Sequence, residues 1–243
     1  MPRPAHRFYR EDVSTPSVCL IGDEAHHALD VLRFGVGAEV ELFDGRGGLA
    51  EGKIVEIARG RFVVCIARST QVPRPEPIVR LGFAVPKGKR LDWLLEKATE
   101  LGAATLEPVV FERSVAGGDE LSDAKRQRWF FHCLAATKQC GLNWLPEICP
   151  PSPLNDFLAQ RGEAICILGH AGPEADPLAR IMSQWYGGQP ICLLVGPEGG
   201  LTDAEFNSAR EAGFRAARLG RTTLRVETAA IALLAAIVAG CDS

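Results

Sequence analysis

This 243-residue sequence predicts an α/β fold joined to a smaller all-β unit, and three observations predict it. Residues 18–68 read as short β-branched runs parted by glycine-rich turns. From residue 78 onward, strand-like and helix-like runs alternate, the pattern of an α/β layer. Two of those runs, AICILG (164–169) and ICLLVG (191–196), are continuously apolar, as strands covered on both faces of a parallel sheet must be.

In the first part, AEVELFDG (38–45), LAEGKIVEIA (49–58) and RFVVCIA (61–67) are the strands, and DGRGG (44–48) is a hairpin loop. QVPRPEP (71–77) holds three prolines in seven positions and reads as a stiff extended linker. The predicted division is therefore 1–72 and 73–243. IVRLGFAV (78–85) opens the second part as a strand. KRLDWLLEKATELG (89–102) follows as a helix with Leu91, Leu94, Leu95, Ala98 and Leu101 on one face and Gly102 as its C-terminal cap. ATLEPVVFE (104–112) is the next strand. Ser122 to Cys140 is a second helix, with Phe130, Cys133, Leu134 and Thr137 inward and Gly141 at its end. Trp93 and Trp129 both read as packing residues. From Thr228 a fully apolar helix is expected to be buried all round.

Composition narrows the function classes. Hydrophobic residues make up 47% and charged residues 23%, enough for a sizeable core. No apolar run approaches the ~20 residues of a membrane span, and the opening MPRPAHRFYRED has no apolar stretch of a secretory signal. A cytoplasmic protein without membrane association is the expectation. The eight cysteines form no Cys-x-x-Cys pair and sit mostly in apolar runs, so reduced core thiols are expected, and no metal site. A net charge of −3 argues against indiscriminate coating of nucleic acid, though it allows a local basic face.

Two glycine loops carry the chemistry. In LVGPEGGLTDAEF (194–206), Thr202 and Glu205 have the spacing of a capping box, and Gly199 and Gly200 permit a close backbone approach. No Gly-Lys-Ser/Thr follows, which removes the phosphate-cradling loop, and no Gly-x-Gly-x-x-Gly stands at a strand end. Glu198 would repel a polyphosphate, so a cationic or neutral ligand suits this loop better. In LGRTTLRVETAA (219–230), three charges, Arg221, Arg225 and Glu227, stand at the entry of the apolar helix. Two readings are open there: an Arg225–Glu227 pair on a helix shoulder, or a loop holding a ligand with Arg225 facing an anion.

Together these motifs resemble the ribosomal RNA uridine N3-methyltransferases of the SPOUT superfamily. HRFYRED (6–12), HHALDVLRFGVGAEVELFDGRGG (26–48), LDWLLEKATELGA (91–103), FERSV (111–115) and QCGLNWLPEI (139–148) fall in the family's order before the two loops. The sequence departs from the family around QCG, with Lys138 and Leu142 where an acid and an arginine are usual.

The resemblance implies an α/β SPOUT methyltransferase domain with a C-terminal trefoil knot, preceded by a PUA-like β-barrel that grips RNA. It implies S-adenosyl-L-methionine as cofactor, a homodimer, and 16S rRNA within the 30S subunit as partner. By motif position, the cofactor loops are Leu168, Gly169 and His170; Gly196, Pro197, Glu198, Gly199 and Gly200; and Leu219, Gly220, Arg221, Thr222, Thr223 and Leu224. Arg225 and Glu227 are the catalytic candidates. Arg7, Arg10, Arg33, Lys87, Lys89, Arg113, Lys138 and Gln139 are the candidates for RNA contact. A SPOUT enzyme with another target, such as a ribose 2′-hydroxyl, and a non-catalytic assembly factor are the alternatives.

Overall fold

The computed structural model describes residues 6–114, 122–185, 187–220 and 222–241. It divides into two compact units. One comprises the residues up to Arg74 together with Thr137–Leu145, and the other comprises Pro75–Ala136 with the chain from Pro146 onward.

The first unit is a half-barrel of β1 (Arg7–Tyr9), β2 (Ser17–Ile21), β3 (Glu39–Phe43), β4 (Gly48–Ala58) and β5 (Arg61–Gln71), in the order β1-β3-β4-β5-β2. A short helix, α1 (Gly22–His26), continues into a π-helical turn at His27–Val31. Phe8, Leu20, Leu42, Ile54 and Phe62 are fully or almost fully buried in one core beneath the sheet. Along β2 burial alternates strictly, so Val18 and Leu20 point inward while Cys19 is exposed. Cys65, paired opposite Ser17, is exposed too. The expectation of core thiols holds for Cys133, Cys166 and Cys192 and fails for Cys19 and Cys65, where alternation puts the thiol outside.

The segment 137–145 explains the glycines of DGRGG. Gly47 N–H donates to Asn143 O (3.0 Å) and Leu145 N–H to Gly45 O (2.9 Å), while Trp144 Nε1 donates to Val72 O (3.0 Å). Gly47 has φ +93°, and a Cβ there would stand 2.6 Å from the Trp144 ring. Only glycine admits both the turn and that approach.

The second unit is a parallel sheet. Its strands are β6 (Val79–Phe83), β7 (Thr105–Val110), β8 (Glu147–Ile148), β9 (Ser152–Pro153), β10 (Ile165–Gly169), β11 (Asp176–Pro177), β12 (Ile191–Val195) and β13 (Arg215–Arg218). They run in the order β11-β13-β10-β12-β6-β7-β8, with β9 beside β7. Every residue of β12 is buried, as its apolar run predicts. The helices are α2 (Lys89–Glu100), α3 (Asp123–Cys140), α4 (Leu154–Ala159), α5 (Leu178–Met182), α6 (Asp203–Glu211) and α7 (Val226–Cys241). In α2, Leu91, Leu94, Leu95 and Ala98 are buried, and Gly102 caps the end with φ +78°. Leu101, at the C-cap, is only half-buried.

Three expectations about helix faces are corrected. In α3, Cys133, Leu134, Thr137 and Trp129 are buried as expected, while Phe130 is only half-buried. Trp93 is 42% exposed on α2 rather than packed, because the 3.6-residue period carries it off the Leu91–Leu94–Leu95 stripe. Helix α7 packs on α2, α5, β6, β10 and β12 through Ala230, Leu233, Leu234 and Ile237. Its other side, with Ile231, Ala235 and Val238, is only half-buried within the chain, so it is not covered all round.

Candidate active site at the carboxyl edge of the sheet

β13, β10 and β12 are adjacent and parallel, so the loops that follow them leave from the same edge of the sheet. In open α/β sheets ligands bind outside that edge. The loops enclose a cavity of about 350 Å³. Its wall takes Gly169, His170 and Gly172 after β10, Gly196, Glu198 and Gly200 after β12, and Leu219, Gly220 and Thr222 to Leu224 after β13. Val226 and Leu233 of α7 add apolar surface, and Arg218 adds a cation. Of the residues implicated by the sequence, the structure therefore brings together Gly169, His170, Gly196, Pro197, Glu198, Gly200, Leu219, Gly220, Thr222, Thr223 and Leu224. Leu168 is fully buried in β10 beneath them, Gly199 lies beside Arg113, and Arg221 lies outside the described residues.

The glycines have separate reasons. A Cβ on Gly169 would stand 2.6 Å from Leu233 Cδ1, so its absence lets α7 close over β10. Gly200 takes φ +70° in the turn that feeds α6 and faces open space. Helix α6 starts with a complete capping box: Glu205 N–H donates to Thr202 Oγ1 (3.3 Å) and Thr202 N–H to Glu205 Oε2 (2.8 Å). The other carboxylate oxygen of Glu205 accepts from Glu112 N–H (2.7 Å), which ties the loop after β7 to the same helix start. Arg113 Nη1 in that loop donates to Gly199 O (3.1 Å). The His170 ring packs against Phe206 with centroids 4.8 Å apart and planes tilted by 41°, and its Nε2 lies 2.6 Å from Glu174 Oε1. The Glu174 carboxyl is held below the usual range, first by a backbone N–H and then by His170.

The charged pair at the entry of α7 is not the expected one. Arg225 is exposed and forms no ion pair with Glu227. Glu227, only 7% exposed, lies with Oε1 3.8 Å from Arg90 Nη1. The same Arg90 nitrogen donates to Glu198 Oε1 at 2.5 Å. Arg90 therefore stands between a carboxylate of the first glycine loop and one of the second. Glu227 Oε2 is buried with no hydrogen-bond partner among the described residues. A second, more open cavity of about 570 Å³ adjoins here, lined by Arg90, Glu198, Thr223, Leu224 and Arg225. Arg90 was missed as a site residue because its only sequence signal is membership of a basic run.

The remaining cations fall into two groups. Lys87 is exposed in the β6–α2 connection, Lys89 at the start of α2, and Arg113 after β7. These three stand at the edge that carries the cavity, since β6 and β7 run parallel to β12. In the half-barrel unit, Arg10, Arg33 and Gln139 are exposed. Arg7 is not: it pairs with Glu41 (2.5 Å), reaches Asn143, and lies over the Phe43 ring (4.7 Å), with nine-tenths of its side chain buried. Its cross-strand pairing with Glu41 turns the guanidinium inward, which removes it from the exposed cations expected to meet RNA. Lys138, at the departure from the family's QCG motif, pairs with Glu24.

Comparison with known proteins agrees with this geometry. The RNA methyltransferase domain family matches residues 74–238, and the RNA methyltransferase PUA domain family matches residues 20–66. A Mycobacterium tuberculosis protein named ribosomal RNA small subunit methyltransferase E is 32% identical over 95% of this chain and 90% of its own length. The crystal structure of ribosomal RNA small subunit methyltransferase E from Neisseria gonorrhoeae, bound to S-adenosyl methionine, is similar with a TM-score of 0.82 and 30% identity, covering 96% of both chains. A probable rRNA-methyltransferase from Porphyromonas gingivalis has a TM-score of 0.86 and 28% identity, covering 98% of both chains. A PUA-like half-barrel, a parallel sheet with loops gathered around a cavity at one edge, and both family matches lead to one conclusion: this chain belongs to the RNA methyltransferase family that includes the ribosomal RNA small subunit methyltransferase E proteins.

Proposed function

We propose that the protein is a cytoplasmic, S-adenosyl-L-methionine-dependent methyltransferase that modifies N3 of a uridine in 16S rRNA of the 30S subunit. The observation that carries the reading is the cavity formed by the three loops after β10, β12 and β13, with Glu198 on its wall and Arg90 shared between Glu198 and Glu227. Its residues fit the cofactor. Val195, Leu201, Leu219, Leu224 and Leu233 offer apolar surface for an adenine ring, and Arg218 suits a carboxylate. Glu198 on the wall favours a cationic ligand over a polyphosphate.

When bound, the cofactor supplies an electrophilic methyl group on a sulfonium. The protein must manage the imide proton of uridine N3. Glu227 Oε2, buried and without a partner, is the acceptor for that proton. Arg225, permanently cationic, stabilises the negative charge spread over the ring carbonyls. Lys87, Lys89 and Arg113 hold phosphates at the same edge, while Arg10 and Arg33 do so on the PUA-like unit. The half-buried apolar side of α7, with Ile231, Ala235 and Val238, supports a homodimer, since a second copy would cover it. A C-terminal trefoil knot fits a chain that adds β13 beside β10 before turning into α7. The test is methylation of hypomodified 30S subunits followed by nucleoside mass spectrometry. Appearance of N3-methyluridine is expected; methyl on ribose, or no methyl transfer, overturns the reading.

A further inference from the structure

Arg90 has no assigned role, yet it faces both carboxylates of the site. Its Nη1 lies 2.5 Å from Glu198 Oε1 and 3.8 Å from Glu227 Oε1, and its Nε donates to Lys87 O (3.4 Å) in the turn that starts α2. The guanidinium is thus anchored at its base and shared at its tip. One guanidinium at 2.5 Å from Glu198 Oε1 and 3.8 Å from Glu227 Oε1 cannot match both carboxylates fully. Glu198 is half-exposed in its side chain and lines both cavities, so it is the one of the two free to meet a ligand. Glu227 is buried and has one oxygen toward Arg90 and the other without a partner. The planar fork of arginine suits this division, whereas a lysine ammonium is a single point charge.

We propose that Arg90 is a positioning residue that couples the two loops. It offsets the charge of Glu198, which sets how strongly the cavity favours a cationic ligand. It also orients Glu227 through Oε1, leaving Oε2 without a hydrogen-bond partner. This rests on the methyltransferase reading above.

Two measurements test it. The first is calorimetric binding of S-adenosylmethionine, a sulfonium cation, and S-adenosylhomocysteine, its neutral thioether, with no RNA present. In R90A the Glu198 carboxylate loses its counter-ion, and preference for the sulfonium over the thioether rises about threefold, the scale of a partly exposed ion pair. In R90A/E198Q the preference returns to that of the unmodified protein. The second is steady-state methylation by R90K, which folds with a cation in place: kcat falls about tenfold, the loss expected for imperfect alignment, while KM for RNA stays within twofold. A preference unchanged in R90A, or a kcat retained in R90K, overturns the coupling. If R90A does not fold, the R90K kcat decides. Unmodified protein that binds neither ligand overturns the methyltransferase reading together with the coupling, whereas binding with an unchanged preference overturns the coupling alone.

Discussion

The cations of the half-barrel unit and those at the carboxyl edge of the parallel sheet look alike in the sequence and have different fates. In the first, Arg7 and Lys138 are matched by Glu41 and Glu24 inside the unit. In the second, Lys87, Lys89 and Arg225 are exposed, and Arg90 is drawn between carboxylates. A cation whose strand register puts it opposite an acid becomes part of the packing. One placed on a loop after a parallel strand is left for a ligand. Burial of the Glu41 carboxyl raises its pKa even though Arg7 lowers it, so that pair does not fully offset the cost of desolvation.

The contrast can be broken most severely at Arg7. R7A leaves Glu41 without its counter-ion, and a loss of about 3 kcal/mol in chemical denaturation at pH 8 is expected. Because the folded-state pKa of Glu41 lies above its unfolded value, the folded protein takes up the proton first as pH falls. The penalty of R7A should therefore shrink at pH 5. A penalty that grows on acidification would contradict this. At the sheet edge, E227Q is expected to slow methyl transfer about 100-fold while the melting temperature and cofactor affinity hold; a rate within threefold removes Glu227 from the chemistry.

Charge reversal of the exposed pair, K87E/K89E, should weaken RNA binding about tenfold near physiological salt and flatten its salt dependence. R10A/R33A should do the same more weakly, and neither should alter stability. If R7A weakens RNA binding as much as R10A/R33A without loss of stability, the distinction between packed and ligand-facing cations fails. The smallest effect is expected from T202A, which removes the side-chain cap of α6 and costs about 1 kcal/mol, measured by thermal denaturation.

Much of the sheet edge was legible because its signals are local. Glycines at 196, 199 and 200, and the Thr202–Glu205 spacing, specify a turn and a helix start within a few residues, and both form as expected. The apolar runs at 164–169 and 191–196 became neighbouring parallel strands for a similar reason, since burial on both faces leaves its mark on every residue of the strand. What failed was pairing at a distance. Arg225 and Glu227 are near in sequence and do not pair, because Arg225 stands just before α7 and is exposed while Glu227 lies inside its first turn and turns inward. The inward turn of Arg7 depends on β1 lying parallel to β3, which no local signal specifies.

By itself the sequence determined the α/β class, the capped helix, the apolar strands and the ligand-poor alternatives that its missing lysine and glycine patterns exclude. Those are consequences of backbone geometry and solvation acting within one or two turns of chain. Only the tertiary structure decided which acid meets which base. Arg90 and Glu198 stand 108 positions apart, and an ion pair depends on a separation of a few ångströms in space that sequence spacing does not encode. The glycine loops were readable as loops; that Arg90 joins their two carboxylates follows from the parallel order of β6, β12 and β10 and the packing of α7 on α2.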